Sequence, residues 1–458
     1  MSILGLLGPV RSLKLFRRCL SNIHVPFHED LTVANDEDFG LGDFQLYQES
    51  PDVKAKMQLL MRQAYEDKEL DQKPLTFPQI CQVKEPLVVI SKLSDPYINL
   101  AIEDYIYNAM PIPKDNLVNY NRLLFYTNNP CVVIGKNQNP WKEANLPLLN
   151  SLKIPLIRRR SGGGTVVHDK GNVNFSFMTT KDKFDRFKFT SLIKDAINNS
   201  GKAKYSLAVN ERGDVTTVKQ DDGICYKVSG SAYKLSKGKS YHHGTMLLNS
   251  RLDILGKLLS RDESKLGKVD AKASIDSVRS KVVNIEMDQE DFIKSVTGIF
   301  EQNFVKSQEN KKQENKVESQ EEYDQNELFG LTDFVEANNN AQLLVIEQTT
   351  ELPHEVTETA NELQQWKWRF GATPVFSHTL SNLEYAFDVT FSVGKQGYLE
   401  DFELNFASKP NQDIIDSFQF LRNFIGKNQL EYTGSNIAGF ITDDKISDWV
   451  GESIDGTS

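Results

Sequence analysis

Three consecutive glycines, Gly162, Gly163 and Gly164, follow Arg158, Arg159, Arg160 and Ser161 and lead into Thr165-Val166-Val167-His168-Asp169. Glycine lacks Cβ, so such a run lets the backbone press against a ligand or turn through φ > 0. Arginines just before it offer planar forks that match carboxylate or phosphate. A second run reads Lys227-Val228-Ser229-Gly230-Ser231-Ala232-Tyr233, with His242-His243-Gly244-Thr245 soon after. Here a lysine, a point cation, stands beside small residues that leave room for a ligand. The plain alternatives are an ordinary turn and a surface lysine at a strand edge. The small residues after Lys227 favour a site, and the two runs together are what holding a nucleotide beside an acid requires.

The surroundings read as α+β. Residues 87–90 are a buried strand, and Asp95-Pro96 opens a helix with Asp as N-cap and Pro at its first position. Strands are expected at 123–126, 131–134, 215–218, 226–229 and 244–248, and a helix at 189–198. Val173, Phe175 and Phe177 alternate with Asn172, Asn174 and Ser176, the pattern of a half-buried strand. Short strands with few crossover helices predict a largely antiparallel sheet. Residues 306–330 are rich in Lys, Gln, Glu and Asn and have little to bury. Beyond Trp366 the chain is apolar again: Phe376, Leu380, Leu383, Tyr385, Phe387, Val389 and Phe391 predict a small sheet, and 414–424 a helix.

The 458 residues suffice for two or three domains. The expected division is a presequence over 1–28, an acidic, poorly ordered extension over 29–85 with a helix candidate near 53–65, a catalytic domain over 86–305, a polar linker over 306–360 and a small α+β domain over 361–458. The first 28 residues hold Arg11, Lys14, Arg17 and Arg18 and no acid. That is the pattern of a mitochondrial presequence and predicts the matrix. No apolar run approaches the ~20 residues of a membrane span. A net charge of −10 gives no reason to expect nucleic acid as a partner. Cys19, Cys81, Cys131 and Cys225 are widely spaced and read as reduced, structural residues. His242 and His243 are adjacent on a strand and face opposite ways, against a metal pair. No GxxxxGK[ST] run is present, which excludes a P-loop. No Ser/His/Asp triad is evident.

These motifs make the chain resemble the lipoate–protein ligase A family. The likeness extends to residues 95–103, 132–143 and 277–280, and to Trp366-Lys367-Trp368-Arg369-Phe370-Gly371 with Pro374, Phe376, Ser377 and His378. The resemblance implies a biotin/lipoate ligase-type catalytic domain, related to class II aminoacyl-tRNA synthetases. It also implies a small C-terminal domain that moves between two half-reactions. Lys227 is implied as the catalytic cation that bridges the α-phosphate and the acyl carbonyl. The implied acyl-adenylate contacts are Arg159, Ser161, Gly162, Gly163, Gly164, Thr165, His168, Asn172, Asp214, Ser229, Gly230, Ser231 and Thr245. His168 reads equally as a packed histidine or a ligand contact, and Asn172 as holding a phosphate or the loop. Asp214 stands for a ribose or Mg²⁺ contact. Gly213 precedes it where bacterial members tend to carry Asn.

The implied reaction uses ATP and Mg²⁺ to activate lipoate or octanoate as acyl-AMP, then transfers the acyl group to a lysine. The implied acceptors are lipoyl domains of 2-oxoacid dehydrogenase E2 subunits and the glycine-cleavage H protein, with the enzyme a monomer. A transferase drawing on acyl-AMP, acyl-CoA or acyl-protein is the alternative, and a non-catalytic lipoyl-domain binder the second.

Overall fold

The computed structural model describes residues 75–112, 120–305 and 341–457. The expected presequence, most of the acidic extension and the polar run at 306–330 lie outside the described residues. Strands β1 (Leu87–Ser91), β2 (Arg122–Tyr126), β3 (Cys131–Ile134), β4 (Leu156–Arg158), β5 (Val166–His168) and β6 (Asn172–Thr180) come first. Then follow β7 (Leu207–Val209), β8 (Val215–Thr217), β9 (Ser229–Ser236), β10 (Lys239–Leu247), β11 (Lys268–Asp270) and β12 (Gln342–Ile346). The last are β13 (Phe376–Asn382), β14 (Phe387–Val393) and β15 (Leu399–Phe406). The main sheet runs β12-β1-β2-β6-β10-β9. It is mixed rather than largely antiparallel: β12, β1 and β2 are parallel, and the remaining pairs antiparallel.

Helices α1 (Pro96–Ala109), α2 (Lys188–Ser200) and α3 (Gln289–Phe304) cover this sheet. Asp95 caps α1, its carboxylate accepting from Tyr97 N–H at 2.8 Å and Ile98 N–H at 3.0 Å. Leu87 and Val89 pack with Ala101, Ile102 and Ile106 of α1. Val88 joins Phe189 and Ile193 of α2 and Phe292 and Val296 of α3 in a separate cluster. Burial on both faces explains why β1 reads as one apolar run.

On β6, Val173, Phe175 and Phe177 join the α2–α3 cluster as expected. The opposite face is not solvent, because all nine residues of the strand are buried. Asn172, Asn174 and Ser176 therefore form a buried polar row that must find partners. That row lies beneath the site.

Two segments differ from the expected division. Residues 342–360 of the expected linker supply β12 and, with the first residues of the expected C-terminal domain, helix α4 (His354–Gln364). β12 pairs with β1, and Val356 and Ala360 of α4 pack in the α1 cluster. Residues 77–81, expected in the extension, form a short helix whose Phe77 and Cys81 pack in that same cluster. Both segments carry apolar residues that the polar average of their neighbours conceals.

The C-terminal strands form a sheet in the order β11-β13-β14-β15, so residues 268–270 of the catalytic region contribute an edge. Its core is continuous with that of the catalytic region: Val132, Ile134, Trp141 and Leu156 cluster with Phe376, Phe391 and Tyr432. Trp141 stacks on Phe376 at a centroid distance of 5.0 Å. Arg158 binds the two regions polarly and is fully buried. Its Nε donates to the carbonyls of Trp368 at 3.1 Å and Arg369 at 2.9 Å. Its Nη1 donates to the carbonyls of Lys136 at 2.8 Å and Gln138 at 2.7 Å, and Nη2 to Thr373 Oγ1 at 2.7 Å. Two of these acceptors end the short helix Trp366–Arg369, where carbonyls lack helical partners. Burial pulls the guanidinium down to about 9, which still leaves it charged at neutral pH. Replacing it strands several buried carbonyls. Arg158→Met is expected to cost at least about 1–3 kcal/mol, the penalty for a buried acceptor left without its donor, read as a lower urea midpoint. An unchanged midpoint would show that this clamp contributes nothing.

Candidate active site

Lys227 stands where three backbone segments meet. Its N–H donates to Lys281 O at 2.8 Å, and its own carbonyl accepts from Val283 N–H at 3.2 Å. It bridges Thr216 on one side and Val282 on the other. With the backbone held on both sides, Nζ lies 3.0 Å from Asp214 Oδ2. Asp214 is buried at the end of a tight turn in which Arg212 and Asp214 N–H both donate to Asn210 Oδ1, at 2.9 and 3.0 Å. Gly213 closes that turn at φ 80°, a conformation that favours glycine. The departure at Gly213 is thus a backbone requirement of this turn.

The glycine loop folds around Arg159. Nη2 donates to the carbonyls of Gly162 at 2.6 Å and Gly164 at 2.7 Å, and Nη1 to Val133 O at 3.2 Å. Nε donates to Ser161 Oγ at 3.0 Å and to Gly162 O at 3.1 Å. Gly163 takes φ 89°. A Cβ on Gly135 would come within 2.1 Å of Gly163 O, so the approach of β3 to the loop also requires glycine. Ser277 ties the loop from outside: its Oγ accepts from Thr165 N–H at 2.8 Å and from Gln138 Nε2 at 2.9 Å. Arg160 turns away to Asp104 at 2.8 Å and Glu362 at 2.6 Å. The three arginines therefore join domains, shape the loop and pair with acids, in that order.

Between this loop and the sheet lies a cavity of about 170 Å³. One row across the sheet forms its floor: Gly230, Thr245, Asn174 and Tyr126 are consecutive partners in register. Leu100, Val133 and Val166 give it apolar walls, while Lys227, Asp214 and Arg212 make a charged cluster. Of the expected site residues, Lys227, Arg159, Gly163, Gly164, Thr165, His168, Asp214, Gly230, Ser231 and Thr245 line it. Ser161, Gly162, Asn172 and Ser229 are not among the lining residues. Asn172 is enclosed and holds the loop, its Oδ1 accepting from Asp169 N–H at 2.8 Å and its Nδ2 donating to Asn174 Oδ1 at 3.1 Å. Ser229 is fully buried.

The structure adds Tyr126, Asn174, Arg212, His243 and Ser277 to the lining. Two of these were findable. Residues two apart on a strand share a face, so His243 belongs with Thr245, and Asn174 lies on the polar face of β6.

His243 also completes a group that no local motif reveals. Its Nδ1 lies 2.7 Å from Glu103 Oε1, and its Nε2 lies 2.7 Å from Ser161 Oγ. Ser176 Oγ and Tyr126 Oη donate to the same carboxylate at 2.9 and 3.2 Å. Burial opposes the charge on Glu103, but His243 and the two hydroxyls outweigh it and hold the carboxyl below the usual range. The order serine, histidine, carboxylate is that of a nucleophilic triad. Ser161 is nevertheless 1% exposed, and its Oγ accepts from Arg159. In this arrangement the three residues brace Arg159 from below rather than offer a nucleophile to the cavity.

Comparisons with known proteins place the chain in a family. Residues 95–304 match the description "Lipoyl protein ligase A/B catalytic domain". A Schizosaccharomyces pombe protein named "Putative lipoate-protein ligase A" is 34% identical over 307 residues, covering 67% of this chain and 76% of that protein. A Saccharomyces cerevisiae (strain RM11-1a) protein of the same name is 42% identical over 227 residues, covering 49% of this chain and 53% of that protein. The alignment thus spans about half the length of the S. cerevisiae relative. Among solved structures, that of P. falciparum LipL1 in complex with lipoate is 23% identical, with a TM-score of 0.46, covering 81% of this chain and 99% of that one. Fold and matches define an α+β lipoyl ligase-type catalytic domain. The chain belongs to the lipoate–protein ligase A family and is an enzyme of that class.

Three histidines in this structure are neutral. Burial pushes His168, His242 and His378 each down to about 3, with Arg159 and His243 adding to the effect at His168. The unfolded chain protonates these residues near 6.5, while the folded chain stays neutral to about 3. Their contribution is therefore complete above pH 6.5 and declines as pH falls, by up to about 1.4 kcal/mol per pH unit per histidine. Urea midpoints at pH 7.5 and 5.5 should show the lower value at 5.5; equal midpoints would contradict the buried, neutral state.

Proposed function

We propose that this enzyme attaches lipoyl or octanoyl groups to the acceptor lysine of lipoyl domains, in two steps at the cavity beside Lys227. In the first, the acid's carboxylate attacks the α-phosphate of ATP, an acyl–AMP anhydride forms and pyrophosphate leaves. In the second, the acceptor's amine attacks the acyl carbon, the C–O bond to AMP breaks and the amine's proton is lost. Both steps build negative charge on oxygen, which a positioned cation stabilises better than mobile water. The observation that carries this reading is Lys227 Nζ, on a backbone held from both sides, 3.0 Å from Asp214 at a cavity walled by the glycine loop. The apolar wall of Leu100, Val133 and Val166 suits an acyl chain. Ser161 is enclosed, so in this reading the attacking amine comes from the acceptor protein.

Among the described residues no group of three or more His, Cys, Asp or Glu is arranged to hold a metal. Asp214 is one carboxylate in the cavity, and one or two carboxylates plus substrate phosphates are the usual holding set for Mg²⁺. Asp214 would hold the ion that accompanies ATP, whose charge would offset that of the phosphates. The acceptors in this reading are E2 lipoyl domains and the glycine-cleavage H protein, the enzyme acts as a monomer, and it works in the mitochondrial matrix. The basic, acid-free first 28 residues support that address, and the mature protein should begin near residue 29. A protein from isolated mitochondria that still begins at Met1 would speak against cleavage.

The deciding experiment incubates pure enzyme and an apo lipoyl domain with either ATP, Mg²⁺ and lipoate, or lipoyl-AMP. Mass spectrometry should show one acyl group added in both arms. Transfer from lipoyl-AMP alone would make the enzyme a transferase. No transfer from either, nor from acyl-CoA or lipoylated H protein, would leave a binding module. Lys227→Ala should fold and lose about 100–1000-fold in rate. Lys227→Arg should fail similarly, because a planar guanidinium does not replace a compact ammonium. Wild-type rates from either variant would remove Lys227 from the mechanism.

A further inference from the structure

His168 ends a hydrogen-bond chain that has a direction. The chain starts at the carbonyl of Leu93, which can only accept. Asn99 Nδ2 donates to it at 2.9 Å and to Asn128 Oδ1 at 2.8 Å, while Asn99 Oδ1 accepts from Ser91 Oγ at 2.7 Å. With Asn128 Oδ1 so engaged, its Nδ2 is the atom that faces His168 Nδ1, 2.9 Å away. An amide NH₂ donates and does not accept. Nδ1 must therefore accept, and the proton of the neutral imidazole sits on Nε2. Burial keeps the ring neutral, holding it down to about 3. Ser91, Asn99 and Asn128 are all buried, so water does not compete for these bonds.

The other edge of the ring meets the site. His168 lines the cavity, and its Nε2 has no hydrogen-bond partner among the described residues and is not among their fully enclosed unpaired atoms. The cavity is otherwise supplied with cations, Lys227, Arg159 and Arg212. A neutral N–H added to such a set suits a ligand rich in oxygen acceptors.

We propose that His168 Nε2–H is a fixed hydrogen-bond donor to an oxygen of the bound acyl-adenylate, and that Asn99 and Asn128 are positioning residues that set its tautomer. The proposal rests on the adenylate reading above. It makes His168 a ligand contact because of what lies behind it.

Full-length protein with ¹⁵N-labelled histidine tests this by NMR. The free protein should show a histidine signal, lost in His168→Phe, with an unprotonated Nδ1, a proton on Nε2 and no titration above pH 5. His378, whose Nε2 faces Leu266 O at 2.6 Å, gives a second signal of this kind that His168→Phe leaves in place. Adding a non-hydrolysable acyl-sulfamoyl adenosine should shift the His168 Nε2–H signal. Separate additions of octanoate and of AMP assign the acceptor oxygen to the acyl or the nucleotide half. Asn128→Asp, whose carboxylate only accepts, should move the proton to Nδ1 and slow acyl transfer about 10- to 100-fold, the size of one hydrogen bond to a charged group. His168→Phe should slow it similarly, and the double variant should be no slower than His168→Phe. A proton on Nδ1 of His168 in the wild type would overturn the proposal, as would a His168 Nε2–H signal that ignores the ligand in an enzyme that transfers acyl groups. A wild type that transfers nothing would instead bring down the adenylate reading, and the ligand assignment with it.

Discussion

One guanidinium holds the site in shape. Arg159 donates to Val133, Gly162 and Gly164 carbonyls and to Ser161, and so converts a glycine run with little intrinsic order into a defined wall. A buried cation is costly unless charge and acceptors surround it. Main-chain oxygens supply the acceptors here, and Glu103, reached through His243 and Ser161, supplies the opposite charge. Burial lowers the Arg159 guanidinium to about 10, with Glu103 and two tyrosines opposing the shift, so it remains a cation at neutral pH. The chain from α1 through β10 to the loop explains why a polar row can lie on the buried face of β6: each member answers another.

Arg158 and Arg159 are neighbours in sequence with opposite tasks. Their side chains leave the end of β4 and its continuation in different directions, one toward Trp368 and Arg369 and one toward the glycine loop. Position 158 therefore connects the segment from Trp368 to Thr373, which leads into the C-terminal sheet, to the wall of the site through a single strand. With Trp141 and Tyr432 in one aromatic cluster, the two regions share a core instead of touching across a polar seam. In this arrangement the C-terminal region is part of what fixes the loop.

Much of this was legible in the sequence, for definite reasons. Asp95-Pro96 announced a helix start because capping is a local matter, and both expected N–H groups reach the carboxylate. Gly163 and Lys227 stood out because few structures other than sites combine such residues. The roles of the arginines were not legible, since composition does not say whether a guanidinium meets solvent, an acid or a row of carbonyls. The Glu103–His243 pair was hidden by 140 residues of separation. β12 was missed because its five residues were averaged with a polar neighbourhood, although Leu343, Leu344, Val345 and Ile346 make a plain apolar strand. The alternation on β6 was seen, but its polar face was assigned to water because a periodic pattern does not reveal that a distant helix, α1 with Glu103, will meet it.

The position of β12 has a consequence for biosynthesis. It is an edge strand of the main sheet, yet it pairs in parallel with β1, which precedes it by more than 250 residues, Leu87 lying opposite Gln342. Contacts of such separation form late, because a long loop must close before they gain anything. As the chain leaves the ribosome, β1 therefore waits with one edge unpaired until the partner emerges, and exposed edges invite association with other chains. A message truncated after residue 305 would encode both signature runs and every residue lining the cavity, and still yield a sheet with an open border. Completeness of the active site and completeness of the fold are reached at different moments of translation.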